Sequence, residues 1–365
     1  MSGIFGNLNV NDSEFVFNAT SGQEVVWTAA QDYLARVNAE LATIQSAFVE
    51  RTTDSFKFRY KLPGGGFLQK RNSDGSFANV KASGSWDVAL PLEDWGAAQG
   101  GNDVDLAYMT VGELDNHIQT ITIQNVNTVR YELLKSLLNS AEDSFVDERR
   151  GTLLIEPLAN GDTVLYPPVL GSAADATENH YVGSNYVTAS MSDTNNPYNV
   201  AAADLEEHFG AATGGSQIAS FINPAEASKT RALTDFVDVT DIGVQPGANT
   251  DRVNAVPAEL LSVGRVLGRL TLSGVWVVEW RWMPATYILT MHLEAPKPVL
   301  RRIDPAATGL GDGLQLVAQP QFADTFPFRE SFWRHRFGYG VGNRLNGHAT
   351  QLVASTSYTT PTAYA

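Results

Sequence analysis

One long apolar repeat between Thr110 and Ala141 constrains the fold more than any other feature of the sequence. Leu114, Ile118, Ile121, Val129, Leu133, Leu137 and Ala141 recur at helical spacing, which places them on one face of a helix. Thr110-Val111-Gly112-Glu113 supplies a capping box at its start, where the threonine and glutamate side chains satisfy each other's backbone amides. About 32 residues at 1.5 Å per residue give a rod of roughly 48 Å, near three times the usual helix length. No a/d heptad is sustained along it, so a coiled coil is disfavoured and the rod is expected to be the backbone of an elongated domain.

A second amphipathic helix is expected over residues 23–50. It follows the box Ser21-Gly22-Gln23-Glu24 and carries Val26, Ala30, Tyr33, Val37, Leu41, Ile44 and Phe48 at spacings of three and four. Between the two helices the pattern changes to period two. Phe56-Lys57-Phe58-Arg59-Tyr60-Lys61 alternates aromatic and cation, as a strand with one apolar face does. Pro63-Gly64-Gly65-Gly66 and Ser73-Asp74-Gly75-Ser76 then mark turns. Residues 51–81 are therefore expected to form an extended hairpin, which needs a further partner to cover its apolar face. That partner is either its own domain or a neighbouring subunit.

After Gly151, short strands are expected at 152–156 and 163–166, and short helices at 201–209, at 216–222 and from the cap Asn223-Pro224-Ala225-Glu226 onward. Residues 263–272, 275–282 and 285–294 are strand-like runs separated by Ser273-Gly274 and Met283-Pro284, the pattern of a β-meander. The run from Phe332 to Val353 is expected to form paired strands.

The formal charge is −15, which disfavours a basic protein that grips phosphates. Its distribution is more informative than its total. Residues 51–81 carry +5 and are flanked by residues 1–50 at −5 and 82–120 at −7, so a basic arm between acidic blocks suggests charge-complementary contact. Without cysteine there can be no disulfide, thiolate metal site or cysteine nucleophile. The opening Met-Ser-Gly-Ile-Phe-Gly-Asn lacks a basic segment followed by an apolar one, and no apolar run approaches 18 residues. A soluble product of the cytosol, with no membrane association, is the expectation.

No catalytic or cofactor motif stands out. None of the six histidines lies three to five residues from another, and Glu206-Glu207-His208, the nearest approach to a metal motif, lacks the partner histidine. No metal site is expected. A Gly-x-Ser-x-Gly elbow is missing, and Gly64-Gly65-Gly66 is a turn with no phosphate-loop Gly-Lys behind it. Carboxylate pairs such as Asp103 and Asp105, Glu93 and Asp94, or Asp238 and Asp241 are expected as solvated faces among 40 acidic residues. Trp276, Trp280 and Trp282 share one parity in a single expected strand. They would form a sugar-stacking platform if exposed, but burial in a sheet is the stronger expectation. The enzyme reading left open is a β-rich carbohydrate-binding or glycoside-hydrolase protein.

The order of elements resembles the HK97-fold major capsid proteins of tailed bacteriophages: an N-terminal helix, a basic hairpin arm, a rod helix, a mixed domain and returning C-terminal strands. The most specific local likeness is Pro327-Phe328-Arg329-Glu330-Ser331-Phe332-Trp333-Arg334-His335-Arg336-Phe337-Gly338-Tyr339-Gly340-Val341-Gly342-Asn343-Arg344, which is similar to the endings of many phage coat proteins. Met283-Pro284-Ala285-Thr286-Tyr287-Ile288-Leu289 is a weaker match.

The resemblance implies an α+β fold. Residues 1–50 would be the N-terminal arm and 51–100 an extended β-hairpin loop. Residues 101–151 would be the spine helix of a peripheral domain, 152–320 an axial domain with its connecting strands, and 321–365 the C-terminal strands of the peripheral domain.

The resemblance further implies a structural, non-enzymatic shell subunit that associates with itself in hexamers and pentamers and encloses double-stranded DNA without sequence-specific binding. Portal, scaffolding and decoration proteins would be its partners, the phage virion its location, and the host cytoplasm its place of synthesis. No segment looks like a fused scaffolding domain, so any scaffold is separate. Residues expected at inter-subunit interfaces are Phe56, Lys57, Phe58, Arg59, Tyr60, Lys61, Lys70, Arg71 and Lys81 in the arm, and Arg334, Arg336 and Arg344 in the C-terminal sheet. A compartment of the encapsulin type is the alternative of the same fold.

Overall fold

The computed structural model describes residues 22–63, 84–98, 107–210, 217–239, 256–304, 311–317 and 331–365, together with residues 4, 13–16, 67, 68, 70, 71, 73, 75, 306 and 309. In chain order the described residues begin with α1 (Gln23–Gln45), β1 (Val49–Thr53), β2 (Lys57–Lys61), β3 (Ser85–Ala89), β4 (Glu93–Ala98) and α2 (Val111–Leu138). Then come β5 (Asp143–Asp147), β6 (Gly151–Ile155), β7 (Tyr181–Gly183), α3 (Pro197–Phe209), β8 (Ile218–Ile222), α4 (Pro224–Arg231) and β9 (Phe236–Asp238). The remainder is α5 (Ala258–Val263), β10 (Arg265–Leu270), β11 (Trp276–Glu279), β12 (Tyr287–His292), β13 (Val299–Arg302), β14 (Gln315–Val317), β15 (Phe332–Val341) and β16 (His348–Gln351).

The capping box of α2 forms as the sequence predicts. The Thr110 amide donates to Glu113 Oε2 at 2.9 Å, and the Glu113 amide donates to Thr110 Oγ1 at 3.2 Å. Twenty-eight residues make this rod about 42 Å long. The helix α1 stops at Gln45, short of residue 50, because Val49-Glu50-Arg51-Thr52-Thr53 is taken up as a strand, a conformation that β-branched residues favour. Ser21 of the first box lies outside the described residues.

The chain forms two units. The first comprises 1–45, 92–132 and 302–338, and the second 46–91, 133–301 and 339–365. In the first unit, residues 332–337 of β15 pair antiparallel with β4, and β14 pairs with the start of the same strand. Trp333 sits here in a core with Val26, Ala30 and Leu34 of α1, Val111, Leu114 and Ile118 of α2, and Leu314 and Leu316.

The second unit holds a seven-stranded sheet in the order β7-β16-β12-β8-β11-β10-β9, the hairpins β2-β3 and β5-β6, and the paired strands β1 and β13. Helix α3 starts at Pro197 with Asn196 as its cap, accepting a hydrogen bond from the Tyr198 amide, the usual helix-opening arrangement. Its Tyr198, Ala202 and Leu205 bury against Ile218, Ile222, Val277 and Ile288 of the sheet.

Four sequence expectations fail here. Residues 216–222 are not a helix, since β8 is a strand buried along its whole length. It lies between β11, to which it is parallel, and β12, to which it is antiparallel, so residues 263–294 are not a meander. At 163–166 there is only an isolated bridge between Tyr166 and Ala176, because Pro167 and Pro168 cannot extend a ladder. Finally, β15 and β16 do not pair with each other: β15 pairs with β4, β13 and β14, and β16 with β12 and β7.

Candidate functional site

The alternation of aromatic and cation in β2 places the two residue types on opposite faces. Tyr60 is buried and Phe58 half-buried, while Lys57, Arg59 and Lys61 are exposed. The strand pairs antiparallel with β3, matching Arg59 to Asp87 and Tyr60 to Trp86. Tyr60 stacks on Trp86 at 5.5 Å and donates its hydroxyl to Glu50 at 2.6 Å. Trp86 in turn donates to the Gly342 carbonyl. Burial, and then the bond to Glu50, push the Tyr60 hydroxyl above its ordinary pKa. The apolar face of this hairpin is thus covered within the chain, by Ala159, Tyr166, Leu300 and Leu345 among others.

The cationic face is partly engaged as well. Asp87 bridges Lys57 Nζ at 2.9 Å and Arg59 Nε at 2.8 Å. Those bonds hold its carboxyl at about 2. Phe56 lies under the Arg150 guanidinium at 3.4 Å, and Phe58 under that of Arg51 at 3.9 Å, cation–π contacts made within the chain. Lys61, Lys70 and Arg71 are exposed, and Arg71 donates to the Gly75 carbonyl. Lys81 lies outside the described residues.

Close in sequence to these cations are two apolar side chains that no expected interface included, Phe67 at 69% and Leu68 at 94% exposure. They follow the triple glycine directly, and that position, not any periodicity, marks them. A second exposed apolar pair, Val146 and Leu154, lies on the β5-β6 hairpin.

The three arginines expected at interfaces have different surroundings. Arg334 makes a two-pronged ion pair with Asp94 of β4, with its Nε 2.7 Å from Oδ1, and lowers the pKa of that carboxyl. Arg336 is half-buried and lies opposite Asp94 in the register. Arg344 is fully buried. Its Nε donates to the Pro157 carbonyl at 2.7 Å and its Nη2 to Asp162 Oδ2 at 2.7 Å. Its guanidinium is therefore spent inside its own chain.

The glycines of the same segment serve backbone approach. A Cβ on Gly340 would lie 2.6 Å from Leu90 Cδ2 and 2.8 Å from the Ala89 carbonyl oxygen, and one on Gly342 would lie 2.7 Å from Leu300 Cγ. Gly340, Gly342 and Arg344, at the end of the motif, thus pack the interior of the second unit.

The tryptophan platform does not form. The strand ends at Glu279, Trp276 and Trp280 are buried, and Trp280 stacks on Phe48 at 5.4 Å. Asp238 pairs with Arg231 at 3.1 Å, while Asp103, Asp105 and Asp241 lie outside the described residues.

No protein-family model and no curated protein matches the chain. Solved structures do. A chain of Mycobacterium phage Patience overlays it with a TM-score of 0.63 at 17% identity, covering 96% of this chain and 94% of that one. The chain has an HK97-like fold. The capsid of Ralstonia phage GP4 gives a TM-score of 0.45 at 13% identity, covering 87% of this chain and 91% of that one. The capsid of a native GTA particle gives 0.45 at 13%, covering 86% and 90%.

Proposed function

We propose that this chain is the major capsid protein of a tailed phage or prophage, assembling as pentamers and hexamers into an icosahedral head around double-stranded DNA. The observation that carries this is the whole-length overlay on the phage chain. The overlay covers 96% of this chain and 94% of the other, so the likeness extends over both units and not over one motif. The role is structural and not enzymatic. Portal, separate scaffolding and decoration proteins are its partners, and the virion is its location after synthesis in the host cytoplasm. An acidic chain encloses DNA without gripping it, so packaged DNA can slide.

The exposed apolar residues support the same reading, because large apolar side chains grouped on hairpins signal a surface that a partner covers. Phe67 and Leu68, flanked by Lys70 and Arg71, fit insertion onto a neighbouring subunit with an acidic rim. Many copies of a modest contact then hold collectively.

Negative-stain microscopy of the purified protein is the test, with shells or capsomers expected. A protein that stays monomeric at high concentration overturns the proposal, and shells that enclose protein cargo in place of DNA would indicate the encapsulin type. Removing residues 57–81 would strip Tyr60 and Leu62 from the core, so the sharper variant is Phe67→Ser with Leu68→Ser. It should abolish shells while leaving the melting temperature within about 1 °C, since exposed substitutions cost little.

A further inference from the structure

The sequence scatters its histidines, yet the second unit brings three of them together. His208 is on α3, His180 immediately precedes β7, and His348 begins β16. The rings of His180 and His208 lie 5.3 Å apart, and those of His180 and His348 6.0 Å apart. Glu207, next to His208, and Glu178, two residues before His180, join them. One ligand atom from each of Glu178, Glu207 and His208 can be chosen so that all lie within 4.8 Å of one another.

The protonation pattern is set by geometry. His180 Nδ1 is 2.7 Å from the Gly347 carbonyl oxygen, which can only accept, so in the neutral ring the proton is on Nδ1 and the lone pair on Nε2. That lone pair is buried, at 2% exposure of the residue, and points at His208 Nε2, 3.4 Å away. A histidine anchored through one ring nitrogen to a backbone carbonyl, with the other turned toward a second imidazole nitrogen, is the arrangement that orients metal ligands. Two imidazole nitrogens bonded to one tetrahedral ion at about 2.0–2.1 Å stand about 3.3–3.4 Å apart. Glu207 Oε1 is 3.8 Å from the same His208 nitrogen, and its side chain is 45% exposed, free enough to close the remaining distance. His348 is turned away to Asp204, with Nε2 2.9 Å from Oδ2.

We propose that His180, His208, Glu207 and Glu178 bind one divalent transition-metal ion of the zinc class. Two imidazoles with two carboxylates suit Zn²⁺ and disfavour Mg²⁺ or Ca²⁺, which take oxygen ligands. The electrostatics agree. Burial lowers His180 to about 3 and His208 to about 4, so both rings are neutral and ready to ligate at pH 7. Burial, with neighbouring negative charge, raises Glu178 and Glu207, a cost that a cation relieves. In a chain without cysteine, the ion would tie α3 to the segment entering β7.

The test is titration of the purified full-length chain with Zn²⁺ by calorimetry, and with Co²⁺ by the visible band of a tetrahedral ion, alongside thermal melts. One ion per chain, a raised melting temperature and the tetrahedral Co²⁺ band are expected. His208→Gln, and separately Glu178→Gln with Glu207→Gln, should each weaken Zn²⁺ binding by at least about 10-fold. The glutamine pair preserves side-chain volume and decides the matter if His208→Gln does not fold. Wild-type protein that takes up no Zn²⁺ at about 100 μM, or binding unchanged in the glutamine pair, overturns the site.

Discussion

Replacing Arg344 separates its two possible roles. At an inter-subunit contact, its loss would spare the subunit and damage the shell; as an internal clamp, its loss would lower the subunit's own stability. The structure assigns it four donated bonds: to the Pro157 carbonyl and Asp162 at 2.7 Å, and to the Leu158 carbonyl and Asn160 at 3.3 Å. Glu156 adds a longer charge contact at 3.7 Å.

Arg344→Met keeps the apolar stem and deletes the charge. Hydrogen bonds to charged groups contribute about 1.5–3 kcal/mol each, and breaking a buried ion pair from one side costs about 3–5 kcal/mol. Asp162 is 27% exposed and regains some water, which points to about 3–4 kcal/mol. At roughly 2–4 °C per kcal/mol for a body of 150–250 residues, the melting temperature should fall by about 6–16 °C. Arg344→Lys should lose less, since it retains the charge toward Asp162 but not the planar fork. Differential scanning fluorimetry on both variants, with Asp162→Asn for a double-mutant cycle, reads these values. Wild-type melting of Arg344→Met combined with failed shell formation would refute the internal assignment and restore the interface one.

Gly340→Ala would force a Cβ to within 2.6 Å of Leu90 and 2.8 Å of the Ala89 carbonyl; a loss of about 1–3 kcal/mol by urea unfolding is expected. Thr110→Ala removes half of the α2 capping box and should lower stability by about 1 kcal/mol, with Thr110→Ser restoring it. Arg334 holds the folded pKa of Asp94 below its ordinary value. The pair's contribution is therefore complete above the unfolded pKa near 4 and lost as pH falls through the lower folded value. Because Asp94 is 44% exposed, the effect is under about 1 kcal/mol. Asp94→Asn should flatten the acid side of the stability profile by no more than that.

What the sequence made legible was local. The Thr110 capping box, the Asn223 cap and the alternation in β2 each depend on residues a few positions apart, and all form, whereas the helix expected from 201 starts four residues earlier, at Pro197 behind the Asn196 cap. The segment 216–222 was misjudged because Ile218-Ala219-Ser220-Phe221-Ile222 is apolar throughout except for Ser220, and periodicity cannot tell a buried strand from a buried helix. Its insertion between β11 and β12 brings together residues more than fifty apart, which no short-range pattern encodes. The histidine cluster was invisible for the same reason: its members, His180, His208 and His348, are 28 and 140 positions apart. Arg344 illustrates the converse error, since a cation in a basic tail is usually exposed, and only the buried carbonyls of Pro157 and Leu158 explain its place.

The division of the chain bears on when it can fold. Five crossings, at residues 45/46, 91/92, 132/133, 301/302 and 338/339, carry the backbone back and forth between the two units, so each is completed only by C-terminal sequence. During synthesis at about 5–20 residues per second, neither unit can close until its last segment has left the ribosome. A nascent chain therefore holds both units open until residues 302–338 and 339–365 have been made.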